Sequence, residues 1–262
     1  MKLRTATIDK LAKDYESALE KLHPLLDAAQ CILRHPAPQF DDISDVESRK
    51  ALEATCFLLH EALKALLELN SVYDDIVIAL QMGRRFPWHG YEIRKSDHLK
   101  FIWFQHVNLC YLFEEKLKLV RNALGRVETI LDHDFEMVHL SLMQKNVKKI
   151  LGRHIRSRGQ TFHEWYQHQE SLRDYRMFEF TCKYEKSDGY SDFVERHYRH
   201  TKSIILREIL ASAQFMQACL ADIFEHQAEH LSECLKKFEL LWNRCRLNPD
   251  KIRLSLKPKV AA

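Results

Sequence analysis

The stretch HVNLCYLFEEKLKLVRNALGRVETIL, residues 106–131, decides the fold class. His106, Cys110, Phe113, Leu117, Val120, Leu124, Val127 and Leu131 step by alternating four and three residues. At about 3.6 residues per turn, that spacing keeps all eight side chains on one helical stripe. A strand would need alternation by two, which this stretch lacks. The seam is long and carries charges between its apolar positions, so it faces other helices rather than lipid.

Moving outward, no proline occurs between Pro87 and Pro249, and the intervening sequence is rich in Leu, Glu, Lys, Ala and Gln. Such composition favours helix after helix. Breaks fall at RHPAPQFDD (34–42), RRFPWHGYEIRKSD (84–97), around Gly159, at KSDGYSD (186–192) and at LNPD (247–250). Helices are therefore expected over Ile8–Leu33 with a kink at Pro24, from Ser44 toward Met82 with a break near Asn70, from Ser96, and over 134–158. SDVE at 44–47 has the form of a capping box. The segment RMFEFTCKY (176–184) alternates well enough to be a short β-like strand within an otherwise ambiguous piece, 160–186. A last helix over 192–245 has its own seam through Ile209, Ala213, Met216, Leu220, Ile223, Leu231, Leu235, Phe238 and Trp242. The architecture read from this is all-α, an antiparallel bundle of long helices.

Composition narrows the setting. The 262 residues carry 40 Lys and Arg against 37 Asp and Glu, so any electrostatic signal must be local. Seven cysteines without a C-x-x-C point to reduced thiols and small core residues, and to a cytoplasmic location. The most apolar runs, FIWFQHVNLCYLF and SIILREILASAQFMQACLADIF, are interrupted by polar groups, so no membrane span is expected.

The local signal is clear. From Met137 to His163 there are 27 residues without one Asp or Glu, and Lys145, Lys148, Lys149, Arg153, Arg156 and Arg158 lie among them. Cations at a helix C-terminus complement its dipole, which accounts for Arg153 to Arg158. It does not account for the acid-free half upstream. A surface that holds phosphate accounts for both, and His154 is placed on it with the cations.

Within this stretch, RSRGQTFHE (156–164) resembles the R-x(4–6)-H motif of HEPN domains, helical bundles of prokaryotic toxins and antiviral systems. Four Arg–His pairs have the spacing: Arg84–His89, Arg126–His133, Arg156–His163 and Arg158–His163. Only the last two sit in the acid-free stretch between two helical segments. HEPN motifs usually carry a polar residue after the arginine, where this chain has Gly159. The resemblance covers residues 96–245, leaving 1–95 as an N-terminal helical extension and 246–262 as a basic tail.

The resemblance implies metal-independent RNA cleavage in a homodimer, with an antitoxin or another protein as a further partner and no cofactor. His163 would transfer the proton, and Arg158 or Arg156 would steady the phosphorane charge. Lys145, Lys148, Lys149, Arg153 and His154 would hold the RNA. A helical RNA-binding or interaction module with the same fold and no catalysis is the alternative. On an unbroken helix Arg158 and His163 lie about 140° apart, whereas Arg156 and His163 share a face about two turns apart. The motif arginine is thus Arg158 if the helix breaks at Gly159 and Arg156 if it runs on.

No metal is expected. EMVH supplies Glu136 and His139 without the second E-x-x-H of a dimetal bundle, and HQAEH places His226 and His230 at i, i+4 without a third ligand in view. His106, on the apolar seam, reads as a hydrogen-bonded core residue.

Overall fold

The computed structural model describes Glu20 and residues 46–84, 94–131, 135, 137–156, 158, 170–182 and 188–247. Among them there is no strand. Five helices account for nearly all of them: α1 Val46–Arg84, α2 Lys95–Leu131, α3 Met137–Ile150, α4 Glu170–Cys182 and α5 Asp188–Leu247. The helix expected over Ile8–Leu33 lies, apart from Glu20, outside the described residues. The fold is all-α, as the seams require.

Two expectations are corrected. α1 runs unbroken through Asn70, because Leu69, Val72, Tyr73 and Ile76 keep its apolar face continuous across that residue. The strand expected at 176–184 is helix as far as Cys182. Leu172 and Tyr175 are buried three residues apart, and Phe178, three further on, packs edge-on against Phe193 at 5.0 Å. That helical face outweighs the short alternation of RMFEFTCKY.

The chain divides into two compact units, each assembled from segments far apart in sequence. Unit 1 comprises Met1–Leu69, Lys116–Met143 and Ala218–Ala262; unit 2 comprises Asn70–Glu115 and Gln144–Gln217. In unit 1, α1 and α2 run antiparallel, since Glu61 pairs with Arg126 and Glu68 with Lys116. Here the α5 seam residues Leu220, Ile223 and Leu231 are fully or almost fully buried, and Gln227 donates its amide to the carbonyl of Phe135 at 3.1 Å.

In unit 2, α2 and α5 run parallel, because Lys95 pairs with Glu195 and His106 with Ser212. α4 runs antiparallel to α5, with Ser171 beside Thr201 and Phe178 beside Phe193. Gly83 lets α1 approach closely: a Cβ there would come within 2.7 Å of Leu206 and 3.3 Å of Ile102.

α5 contains a window with mean hydropathy 1.3 that is long and apolar enough to cross a membrane by composition. Half of that window is buried inside the protein, where Ile205, Ile209, Ala213 and Met216 form core. Cys110, Cys219 and Cys234 are also core, and burial pushes the Cys110 and Cys219 thiols up to about 12.

The start of α2 is held by a remote side chain. A helix leaves its first N–H groups without intrahelical partners. Here the Glu179 carboxylate accepts from the backbone N–H of Lys95 at 3.1 Å and of Ser96 at 3.3 Å, and from the Tyr175 hydroxyl at 3.0 Å. At the end of α1, Lys202 donates its Nζ to the carbonyl of Arg84 at 2.8 Å. Glu179→Ala is therefore expected to cost about 1–3 kcal/mol, since it removes charge-assisted acceptors from two N–H groups and a buried hydroxyl. Urea denaturation measures the loss, and an unchanged midpoint would mean that water replaces the carboxylate at no cost.

Candidate nucleic-acid interface

The described part of the acid-free stretch, 137–156 and 158, forms α3 and its continuation, and from Gln144 onward it belongs to unit 2. α3 does not stop cleanly at Ile150. The N–H of Leu151 donates to the carbonyl of Val147 at 2.8 Å and that of Ile155 to Leu151 at 3.0 Å. Residues 152–156 are helical, so i to i−4 bonding continues past the bend at Leu151.

That continuation sets the direction of the cations. Lys145, Lys149, Gly152 and Arg156 are spaced four, three and four apart, so they share one helix face, with about 16 Å from first to last. Lys145, Lys149 and Arg156 are exposed, and none of them forms an ion pair among the described residues. Gly152 is buried beside the row, and a Cβ there would stand in ordinary contact with Nη1 of Arg156 at 3.6 Å.

The other cations are tethered. Lys148 reaches the buried carboxylate of Glu114 at 3.5 Å, and Arg153 pairs with Glu208 at 2.9 Å. The guanidinium of Arg158 lies over the ring of Tyr111, 3.7 Å from its centroid. Such a cation–π contact leaves the N–H edge of the guanidinium directed outward while the face is covered. The two candidate motif arginines are thus not equivalent, because Arg156 belongs to the exposed row and Arg158 is fixed against α2. Gly159, His163 and Glu164 lie outside the described residues.

The expectation for His154 is corrected. Instead of lying on an RNA-facing surface it is buried, with 6% of its surface exposed. Val147, Leu151 and His154 follow the four–three step of the α3 core face, and the first two are buried as well. Its ring lies 4.5 Å from that of His106 and 5.5 Å from that of Trp103. Burial, and then the charge of Arg153, hold the His154 pKa down at about 4. Burial, followed by His154 and Arg153, holds His106 well below its usual value. Nε2 of His106 shares a hydrogen bond of 2.9 Å with Ser212, in keeping with the core role expected for it. Both imidazoles are neutral core groups at neutral pH.

A second histidine constellation is not evident from the sequence. Among the described residues, His139, Asp222 and His226 could together hold a metal ion. They belong to unit 1, whereas the basic face just described belongs to unit 2. Asp222 and His226 sit four apart in DIFEH, which is a legible signal, but the third member comes from another helix. His197 packs against Phe178 and Phe193, with ring centroids at 4.7 and 4.4 Å.

No family model, curated protein or solved structure matches the chain. The functional reading therefore rests on the residues themselves.

Proposed function

We propose that this chain binds single-stranded RNA along the Lys145–Lys149–Arg156 face and cleaves it without a metal, in the manner of HEPN proteins. The observation that carries the binding is the row of three exposed cations, unpaired with acids among the described residues, on one face of an acid-free helix. Exposed cations in a line attract a polyanion without reading its sequence. Arg158 beside Tyr111 adds a planar donor, and the partly exposed Tyr111 ring is of the kind on which bases stack.

Cleavage needs no protein nucleophile, because the ribose 2′-OH attacks the adjacent phosphorus and the 5′-oxygen leaves. His163 takes the 2′-OH proton, and an arginine stabilises the charge on the phosphoryl oxygens. The leaving oxygen gains a proton from solvent or from the imidazolium of a second copy. In the resembled family two motifs meet in one cleft, so this reading includes a homodimer.

A second reading keeps the RNA surface and drops the catalysis. It is favoured by the use of Lys148 and Arg153 in ion pairs and by the burial of His154, which leave fewer groups for a reacting phosphate.

Binding and cleavage are tested separately on a labelled single-stranded RNA with EDTA present. Three phosphate contacts give a slope of about −2 in log affinity against log salt, so a fourfold rise in salt should weaken binding about 20-fold. Replacing Lys145, Lys149 and Arg156 together by Ala should flatten that slope. A wild-type slope near zero, or no binding at low salt, would remove the face as an RNA surface. Binding without cleavage would select the second reading.

A further inference from the structure

We propose that His139, Asp222 and His226 form a binding site for a divalent transition-metal ion, zinc being the best fit, which clamps α3 to α5 within unit 1. His139 comes from the first turn of α3, and Asp222 and His226 lie four apart on one face of α5. The Asp222 carboxylate sits between the two rings: Oδ2 is 3.0 Å from Nε2 of His139, and Oδ1 is 3.4 Å from Nε2 of His226. The rings themselves are 4.6 Å apart, and the ligand atoms all lie within 4.8 Å of one another.

These distances suit zinc. With Zn–N and Zn–O bonds of about 2.0–2.2 Å, tetrahedral ligands stand about 3.3–3.5 Å apart. The His226–Asp222 edge matches at 3.4 Å and the His139–Asp222 edge is a little short at 3.0 Å, the two reaching different carboxylate oxygens, and the 45% exposed side chain of His226 has room to adjust. Two imidazoles and one carboxylate are borderline N and O donors of the kind zinc takes, and the fourth position opens to water.

Charge points the same way. Among the described residues Asp222 pairs with these two histidines alone and with no lysine or arginine. A cation seated between the three groups would offset the carboxylate charge and replace both His–Asp contacts with metal–ligand bonds. All three side chains are partly exposed, so an ion can enter without any opening of the core. The inference does not depend on the RNA reading, which uses residues of unit 2.

The test uses the full chain, stripped with EDTA and desalted. Titration with zinc chloride in a calorimeter should give one equivalent per chain, and saturating zinc should raise Tm by about 5 °C or more. His226→Ala and Asp222→Asn should each weaken zinc binding by at least about 10-fold. His139→Ala/His226→Ala should abolish both the heat and the Tm rise, with circular dichroism showing that the helices persist. Cobalt substitution separates this site from the cysteines: a d–d spectrum without a thiolate charge-transfer band is expected. The proposal is overturned if the wild type binds no stoichiometric zinc, if the double variant binds it equally well, or if cobalt reports thiolate ligation. The readouts are heat, Tm and absorption, so loss of the zinc site leaves RNA cleavage standing, and absence of cleavage leaves the zinc site standing.

Discussion

Acidification from pH 7 to pH 5 is expected to destabilise the protein by about 2 kcal/mol through His154 in unit 2, with the buried His106 beside it acting in the same direction. His154 and His106 pack ring to ring, and both are held neutral, His154 at about 4 and His106 also well down. In the unfolded chain each returns to the ordinary value of 6.5. Below that value the unfolded state binds more protons than the folded one, so stability rises with pH. Their contribution is complete above about pH 6.5 and is lost as pH falls toward 4. A loss of about 2 kcal/mol from one side chain is already large against the ~5–15 kcal/mol of an ordinary domain. His98, also depressed by burial and by Lys202, adds to the same trend.

The window between pH 6.5 and 5 is diagnostic, because carboxylates contribute little there. Urea midpoints should fall steeply across it for the wild type. They should fall less steeply for His154→Leu, which keeps bulk in the cluster and removes one titrating group. Equal slopes would show that the His154 ring reaches solvent in the folded state, and would remove the neutral-core account.

This cluster also shows where the sequence is legible and where it is not. The α2 and α5 seams can be read directly, because a four–three step sustained over many residues has one physical solution. Nearly all of their described members are buried. His154 misleads for the opposite reason. Its neighbours Arg153, Arg156 and Arg158 draw it into a basic surface, although Val147, Leu151 and His154 continue the core step of α3. Periodicity outranks neighbouring charge, since a helix turns about 100° per residue and adjacent side chains point apart.

RMFEFTCKY misleads for a related reason. A window of nine residues is too short to distinguish alternation from a helical face that begins at Leu172. The three-residue cluster in unit 1 is hidden for a different reason. His139 lies 83 positions before Asp222, and no pattern along one helix reveals a ligand supplied by another.

His163→Ala is expected to reduce RNA cleavage by about 10²- to 10⁴-fold while leaving fold and RNA affinity nearly intact. His154 is buried and held neutral, so it cannot serve as a base for a phosphate bound at the surface. On the proposed reading, proton transfer therefore falls to His163, whereas attraction for phosphate is spread over Lys145, Lys149 and Arg156. The arginines sharpen the comparison. Arg158 stacks on Tyr111, so Arg158→Ala should weaken binding as well as cleavage. Arg156→Ala should reduce binding through the loss of one row member, and should reduce cleavage more than Arg158→Ala only if the helix runs on through Gly159. The measurement compares purified wild type with His163→Ala on single-stranded RNA in EDTA, with circular dichroism as the folding control. Equal cleavage by the two proteins would place the activity at another site or in a contaminant, and would end the HEPN-like catalytic reading. The salt-dependent binding by the α3 face would then stand or fall on its own titration.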